Sequence, residues 1–294
     1  LVPMLKVRDL IEAGFRVTVL LADWHGYINN KLDGDWDALH AGVEYQRQMF
    51  GIFAPGTEFM TASELVRSDG YWERVLHVAK ATSLKRMRRA ISIMGRSGDE
   101  AESDTSMFFY PAMQATDIYA LEVDLALGGM DQRHAHMLAR DVAEKLRLPK
   151  IIALHTPLLG SLSGQGRMDT DTKMSKSDPA SALLVHDSAK QLQKKLSKAF
   201  CPPEREGNPV LDIWEHLLAP GLGEVTIDRS EKFGGSVKFE NYAALEAACS
   251  SGELHPLDLK NGTAAALDHL FEPLRVAVAE ESGPYDALIA ALGD

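Results

Sequence analysis

Apolar residues recur at helical spacing from Leu5 to Ile11, Gly14 ends that run, and Phe15 to Leu21 continues as an apolar stretch of the kind a buried strand shows. The spacing predicts further helices over Asp35–Phe50, Tyr71–Lys80, Ser83–Met94, Pro111–Leu125 and Gln132–Leu146, and a strand over Ile151–His155. Strands alternating with helices predict an α/β fold, a Rossmann-like and mostly parallel sheet whose ligands sit beyond the carboxyl ends of its strands. From Thr156 to Ala182 the chain is rich in Gly, Ser, Asp and Thr and longer than a simple connection needs, which points to a functional loop. Asp187–Ser188 then suits the cap of a helix over Lys190–Phe200, and a mainly helical tail with Pro and Gly breaks follows. The domain boundary is drawn within Cys201–Pro209, giving residues 1–205 and a smaller helical domain 206–294.

Composition narrows the class. With 294 residues, 45% hydrophobic and 25% charged, the chain has room for two packed domains. Cys201 and Cys249 form no CxxC pair, so neither a disulfide framework nor a metal site is expected, and a reducing cytoplasm fits. No run approaches the roughly 18 apolar residues of a membrane span, and no signal-peptide layout is present. A net charge of -11 excludes a surface coated in basic residues. Local basic faces remain for phosphate contact at Lys85, Arg86, Arg88 and Arg89, and at Lys190, Lys194, Lys195 and Lys198; each also reads as a solvated helix face.

Two groups of residues carry candidate chemistry. Lys173-Met174-Ser175-Lys176-Ser177 places two ammonium groups three residues apart inside the long loop. Lysines on flexible stems can follow charge as it develops on a departing pyrophosphate. Tyr110, Gln114 and Asp117 stand at i, i+4 and i+7, one polar face of a helix for which Pro111 suits the first turn. A buried amide and carboxylate need partners, from the protein or from a polar ligand. Gly128-Gly129-Met130-Asp131-Gln132-Arg133 adds a glycine pair that lets backbone approach a ligand, ahead of a helix carrying His134, His136 and Met137.

In this order the three segments, with KMSKS, YPAMQATD and GGMDQR in the letters of the chain, resemble tyrosyl-tRNA synthetases of the archaeal and eukaryotic type, a class I family, from Asp9 to Val276. The resemblance implies a Rossmann-like catalytic domain followed by an anticodon-binding domain. It implies formation of tyrosyl-adenylate from L-tyrosine and ATP, with Mg2+ accompanying the ATP, and transfer to the 3′ end of tRNA(Tyr). It assigns Tyr110, Gln114 and Gln132 to the substrate α-amino group and Asp117 to the phenolic hydroxyl. Leu20-Leu21-Ala22-Asp23-Trp24-His25 is similar to the strand lining the tyrosine pocket, with His25 at the floor. ATP falls to Lys173, Met174, Ser175, Lys176 and Ser177, with Lys173 and Lys176 catalytic. Glu231-Lys232-Phe233-Gly234-Gly235 and Glu253 to Lys260 resemble the anticodon-binding region, so Phe233, His255 and Asp258, together with Arg133, are expected at tRNA. A homodimer is also implied.

The family's His-x-Gly-His signature occurs nowhere in the 294 residues, and the chain opens at Leu1 just downstream of its place, as a fragment would. Two rivals stand beside the main reading. A tryptophanyl-tRNA synthetase shares fold and loop, but indole has no hydroxyl for Asp117 to read. A non-catalytic tRNA-binding relative is the alternative if the missing segment is truly absent.

Overall fold

The computed structural model describes residues 1–91, 104–164, 182–229 and 231–292, apart from the Phe233 side chain. Cα packing divides it into two units, Pro3–Thr156 with Glu280–Asp294, and Leu1–Val2 with Pro157–Ala279.

In the first unit, α1 (Val2–Glu12) leads into β1 (Thr18–Leu21), shorter than the apolar run because Phe15 is exposed. α2 (Asp23–Ile28) follows at once, then α3 (Trp36–Phe53), whose cap Asp35 accepts a hydrogen bond from the Ala38 amide at 2.8 Å. β2 (Glu58–Thr61) escapes the sequence pattern because of its polar ends. It runs parallel to β1, pairing Thr18 with Glu58 through Leu21 with Thr61. Thr61 and Glu64 close a capping box on α4 (Ala62–Leu65). α5 (Tyr71–Ala81) and α6 (Leu84–Ile91) match their predicted spacing as far as the described residues go.

The next helix differs from expectation. α7 spans Ser106–Ala120, so it starts five residues earlier than predicted and Pro111 lies inside it rather than in its first turn. Pro111 lacks an amide for the Met107 carbonyl, a loss tolerated where surrounding packing holds the helix. Leu125, predicted as the last residue of that helix, instead opens β3 (Leu125–Gly129). β3 pairs in parallel with β4 (Ile152–Thr156), and α8 (Arg133–Leu146) crosses between them. The core joins Tyr71, Val75 and Val78 of α5, Met107 and Met113 of α7, and Leu138 and Val142 of α8.

In the second unit Ser188 and Gln191 form a capping box on α9 (Ala189–Ser197). Asn208 caps α10 (Pro209–Ile213), which continues as a π-helical turn over Trp214–Leu218. β5 (Val225–Ile227) and β6 (Val237–Phe239) make an antiparallel pair, followed by α11 (Tyr242–Ser251) and α12 (Pro256–Glu280). Trp214 donates from Nε1 to Thr263 Oγ1 at 2.8 Å, fixing the π-helical turn to α12. α13 (Gly283–Leu292) belongs to the first unit, where it packs on α3 and Gln48 donates to the Glu281 carbonyl at 2.7 Å. Among the described residues no helix is long and apolar enough to cross a membrane.

Candidate active site

The parallel pairs place the ends of β1 and β3 at the site, as strand carboxyl ends do in this fold class. Two residues beyond β1, Asp23 is buried and its Oδ1 accepts from the amides of Trp24 (2.8 Å) and Ser63 (2.9 Å). That carboxylate ties the start of α2 to the segment following β2. His25 therefore lies in the first turn of a helix and not on the strand as expected, and it is 4% exposed.

His25 meets two residues of α7 seven positions apart. Its Nε2 is 3.1 Å from Asp117 Oδ2, and its ring stands edge-on to Tyr110 with centroids 5.0 Å apart. Tyr110 and Asp117 thus share the face their spacing predicts. Asp117 is 4% exposed, and its Oδ1 accepts from the hydroxyl of Tyr71 on α5 at 2.7 Å. Burial first, then the Asp117 charge, pushes the Tyr71 hydroxyl far above its ordinary range, so it stays a donor. Burial, with Asp117 and Asp131 adding to it, pushes Tyr110 up to about 12.

Gln114, between these two on the same helix, donates from Nε2 to Gln132 Oε1 at 3.1 Å. Gln132 sits after β3 as the residue preceding α8. Gly128 has a reason that differs from ligand approach: an added Cβ would lie 3.0 Å from Gln132 Cβ and 3.2 Å from His136 Cε1. His136 in turn lies 3.0 Å, Nδ1 to Nε2, from His155 on β4. Burial, and then the partner His155, lowers His136 to about 4, so the pair is neutral near pH 7. His155 is lowered as well, by burial and then by Arg133.

Some buried polar atoms here have no hydrogen-bond partner among the described residues: both ring nitrogens of His25 and Oε1 of Gln114. Nε2 of His25 is near Asp117 but not aligned for a hydrogen bond. Unsatisfied buried polar groups cost about 1–3 kcal/mol each, and native folds retain them where a ligand completes them.

The other expected site residues are more scattered. Lys173, Met174, Ser175, Lys176 and Ser177 lie outside the described residues. Arg133 is exposed at the first position of α8. Phe233 closes a short 3-10 turn, Glu231–Phe233. His255 accepts from the Leu257 amide at 3.1 Å, acting as a cap, and Asp258 sits half-buried in the first turn of α12. Of the basic clusters, Arg86 pairs with Asp141 at 3.0 Å and Lys195 with Asp187 at 2.7 Å, while Lys85, Arg88, Lys190 and Lys194 are exposed. Asp212, Glu215 and His216 are the group of described residues that could hold a metal, but Arg205 pairs with Glu215 and occupies it with a cation. Sequence reasoning missed Tyr71, whose partner is 46 residues away.

Residues 1–272 match the family described as tRNA synthetases class I (W and Y). A tyrosine–tRNA ligase from Aeropyrum pernix is 46% identical over 308 residues, covering 100% of this chain and 85% of that protein. The crystal structure of tyrosyl-tRNA synthetase from the same organism superposes with a TM-score of 0.88 at 43% identity, again covering 100% and 85% of the two chains. A Pyrococcus horikoshii tyrosyl-tRNA synthetase complexed with L-tyrosine gives 0.88 at 36% identity, over 97% of this chain and 85% of the other. Such identity over nearly the whole chain favours the tyrosine branch over the tryptophan branch, and the protein belongs to the class I tRNA synthetases, among the tyrosyl-tRNA synthetases.

Proposed function

We propose that this chain is a tyrosine–tRNA ligase that binds L-tyrosine along the Tyr110–Gln114–Asp117 face of α7. Tyrosine carboxylate attacks the α-phosphate of ATP, pyrophosphate leaves, and the tyrosyl group passes to the 3′ end of tRNA(Tyr). The observation that carries the reading is the set of buried atoms at His25 and Gln114 that lack a hydrogen-bond partner among the described residues, beside a buried carboxylate. An ammonium group has three donors and no acceptor, which suits Gln114 Oε1 and the Tyr110 hydroxyl. A phenol both donates and accepts, which suits Asp117 and His25. Indole can donate to Asp117 but cannot accept from His25, so the geometry also favours tyrosine over tryptophan.

Lys173 and Lys176 are assigned to the pyrophosphate, with Met174, Ser175 and Ser177 completing the ATP loop. Mg2+ would travel with the ATP phosphates. Residues 1–205 form the catalytic domain in this reading and 206–294 the anticodon-binding domain, where Phe233, His255 and Asp258 meet tRNA and Arg133 approaches it from α8. A homodimer in the cytoplasm completes the proposal, and sedimentation equilibrium tests the dimer.

The function is tested by tyrosine-dependent ATP–pyrophosphate exchange and by calorimetry with Asp117→Ala. Loss of a charge-assisted hydrogen bond of about 1.5–3 kcal/mol weakens tyrosine binding by roughly one to two orders of magnitude. Phenylalanine affinity stays level or improves, since the unpaired acceptor is gone. An unchanged tyrosine-to-phenylalanine ratio with a sharply lower melting temperature would return Asp117 to a purely structural network.

A further inference from the structure

Asp117 is held from behind. Its Oδ1 accepts from Tyr71 at 2.7 Å, and the Tyr71 ring is 1% exposed, anchored in the α5–α7 core with Val75 and Met113. A carboxylate left to rotate about its last bond could present either oxygen to the pocket. One pinned at Oδ1 presents Oδ2, the oxygen facing His25 at 3.1 Å. Tyr71 reaches Asp117 from a different helix and contributes a hydroxyl whose only described partner is that carboxylate.

We infer that Tyr71 is a positioning residue for amino-acid selection: it orients the Asp117 carboxylate so that Oδ2 is the atom that reads the substrate hydroxyl. This rests on the assignment of Asp117 to the phenol. A pre-oriented acceptor needs no rearrangement on binding, so the gain is realised with tyrosine and not with phenylalanine. Tyr71 itself touches no reacting atom. Its removal is therefore expected in KM for tyrosine, with kcat for activation little changed.

The test compares Tyr71→Phe, Asp117→Ala, the double variant and Tyr119→Phe. Tyr119 supplies the control because its hydroxyl is also buried and donates to the Ala139 carbonyl at 2.7 Å, away from Asp117. Tyr71→Phe is expected to weaken tyrosine binding by about three- to tenfold with phenylalanine within twofold, as loss of orientation at a charged acceptor predicts. Tyr119→Phe lowers the melting temperature and leaves the ratio alone. In the Asp117→Ala background Tyr71→Phe changes the ratio no further. If Tyr71→Phe lowers the melting temperature while the ratio holds, as in Tyr119→Phe, Tyr71 is structural and the inference is overturned. If Asp117→Ala also leaves the ratio unchanged, the phenol assignment itself has failed, and the two failures are told apart.

Discussion

The side-chain amide of Gln114 donates to the amide oxygen of Gln132 at 3.1 Å, joining the middle of α7 to the turn that opens α8. That bond uses one donor of Gln114 and leaves its own oxygen buried without a hydrogen-bond partner among the described residues. Single changes of either residue to Ala are expected to weaken tyrosine binding. The double variant should lose less than the sum, by about 0.5–3 kcal/mol, because residues in contact are not independent. Isothermal calorimetry of the four proteins decides it, and strictly additive losses would mean the bond does not orient Gln114.

Gly128→Ala tests the packing that holds Gln132. The new methyl would press on Gln132 and His136 at 3.0–3.2 Å, so the segment must shift. Overpacking of this kind costs about 1–3 kcal/mol and should weaken tyrosine binding together with stability. Gly283→Ala is the comparison, since a methyl there meets nothing within 4 Å and should be neutral in both thermal melting and binding.

Lys176→Ala should slow adenylate formation while tyrosine binding stays nearly intact, because its ammonium is assigned to charge that develops only as pyrophosphate departs. Single-turnover activation is compared with equilibrium tyrosine binding. Equal losses in both would assign Lys176 to folding.

The His136–His155 pair predicts a pH dependence of stability. His136 falls from an ordinary 6.5 to about 4 in the folded chain, so between these values the unfolded chain binds the additional proton. Stability is then full above about pH 6.5 and declines as pH falls toward 4. His155, lowered in the same direction, adds to the slope. In His136→Gln the decline measured by urea unfolding at pH 4.5–7 should be shallower by about one proton. An unchanged slope would mean the histidine is not held neutral.

Local pattern was enough to place α3, α5, α8 and α9, since each carries its own periodicity and signals such as Asp35 and Ser188 at their starts. It also put Tyr110, Gln114 and Asp117 on one face, because three side chains at i, i+4 and i+7 share a direction whatever surrounds them. The sequence alone did not reveal β2, whose ends are polar, or β3, whose first residue continues a helical pattern; each becomes a strand by pairing with a partner elsewhere in the chain. The family resemblance put His25 on a strand, whereas Asp23, bonded to the Ser63 amide, starts a helix there. Whether Asp117 faces a hydroxyl, an imidazole or solvent depended on Tyr71 and His25, 46 and 92 residues away, and only folding brings such residues within hydrogen-bond reach.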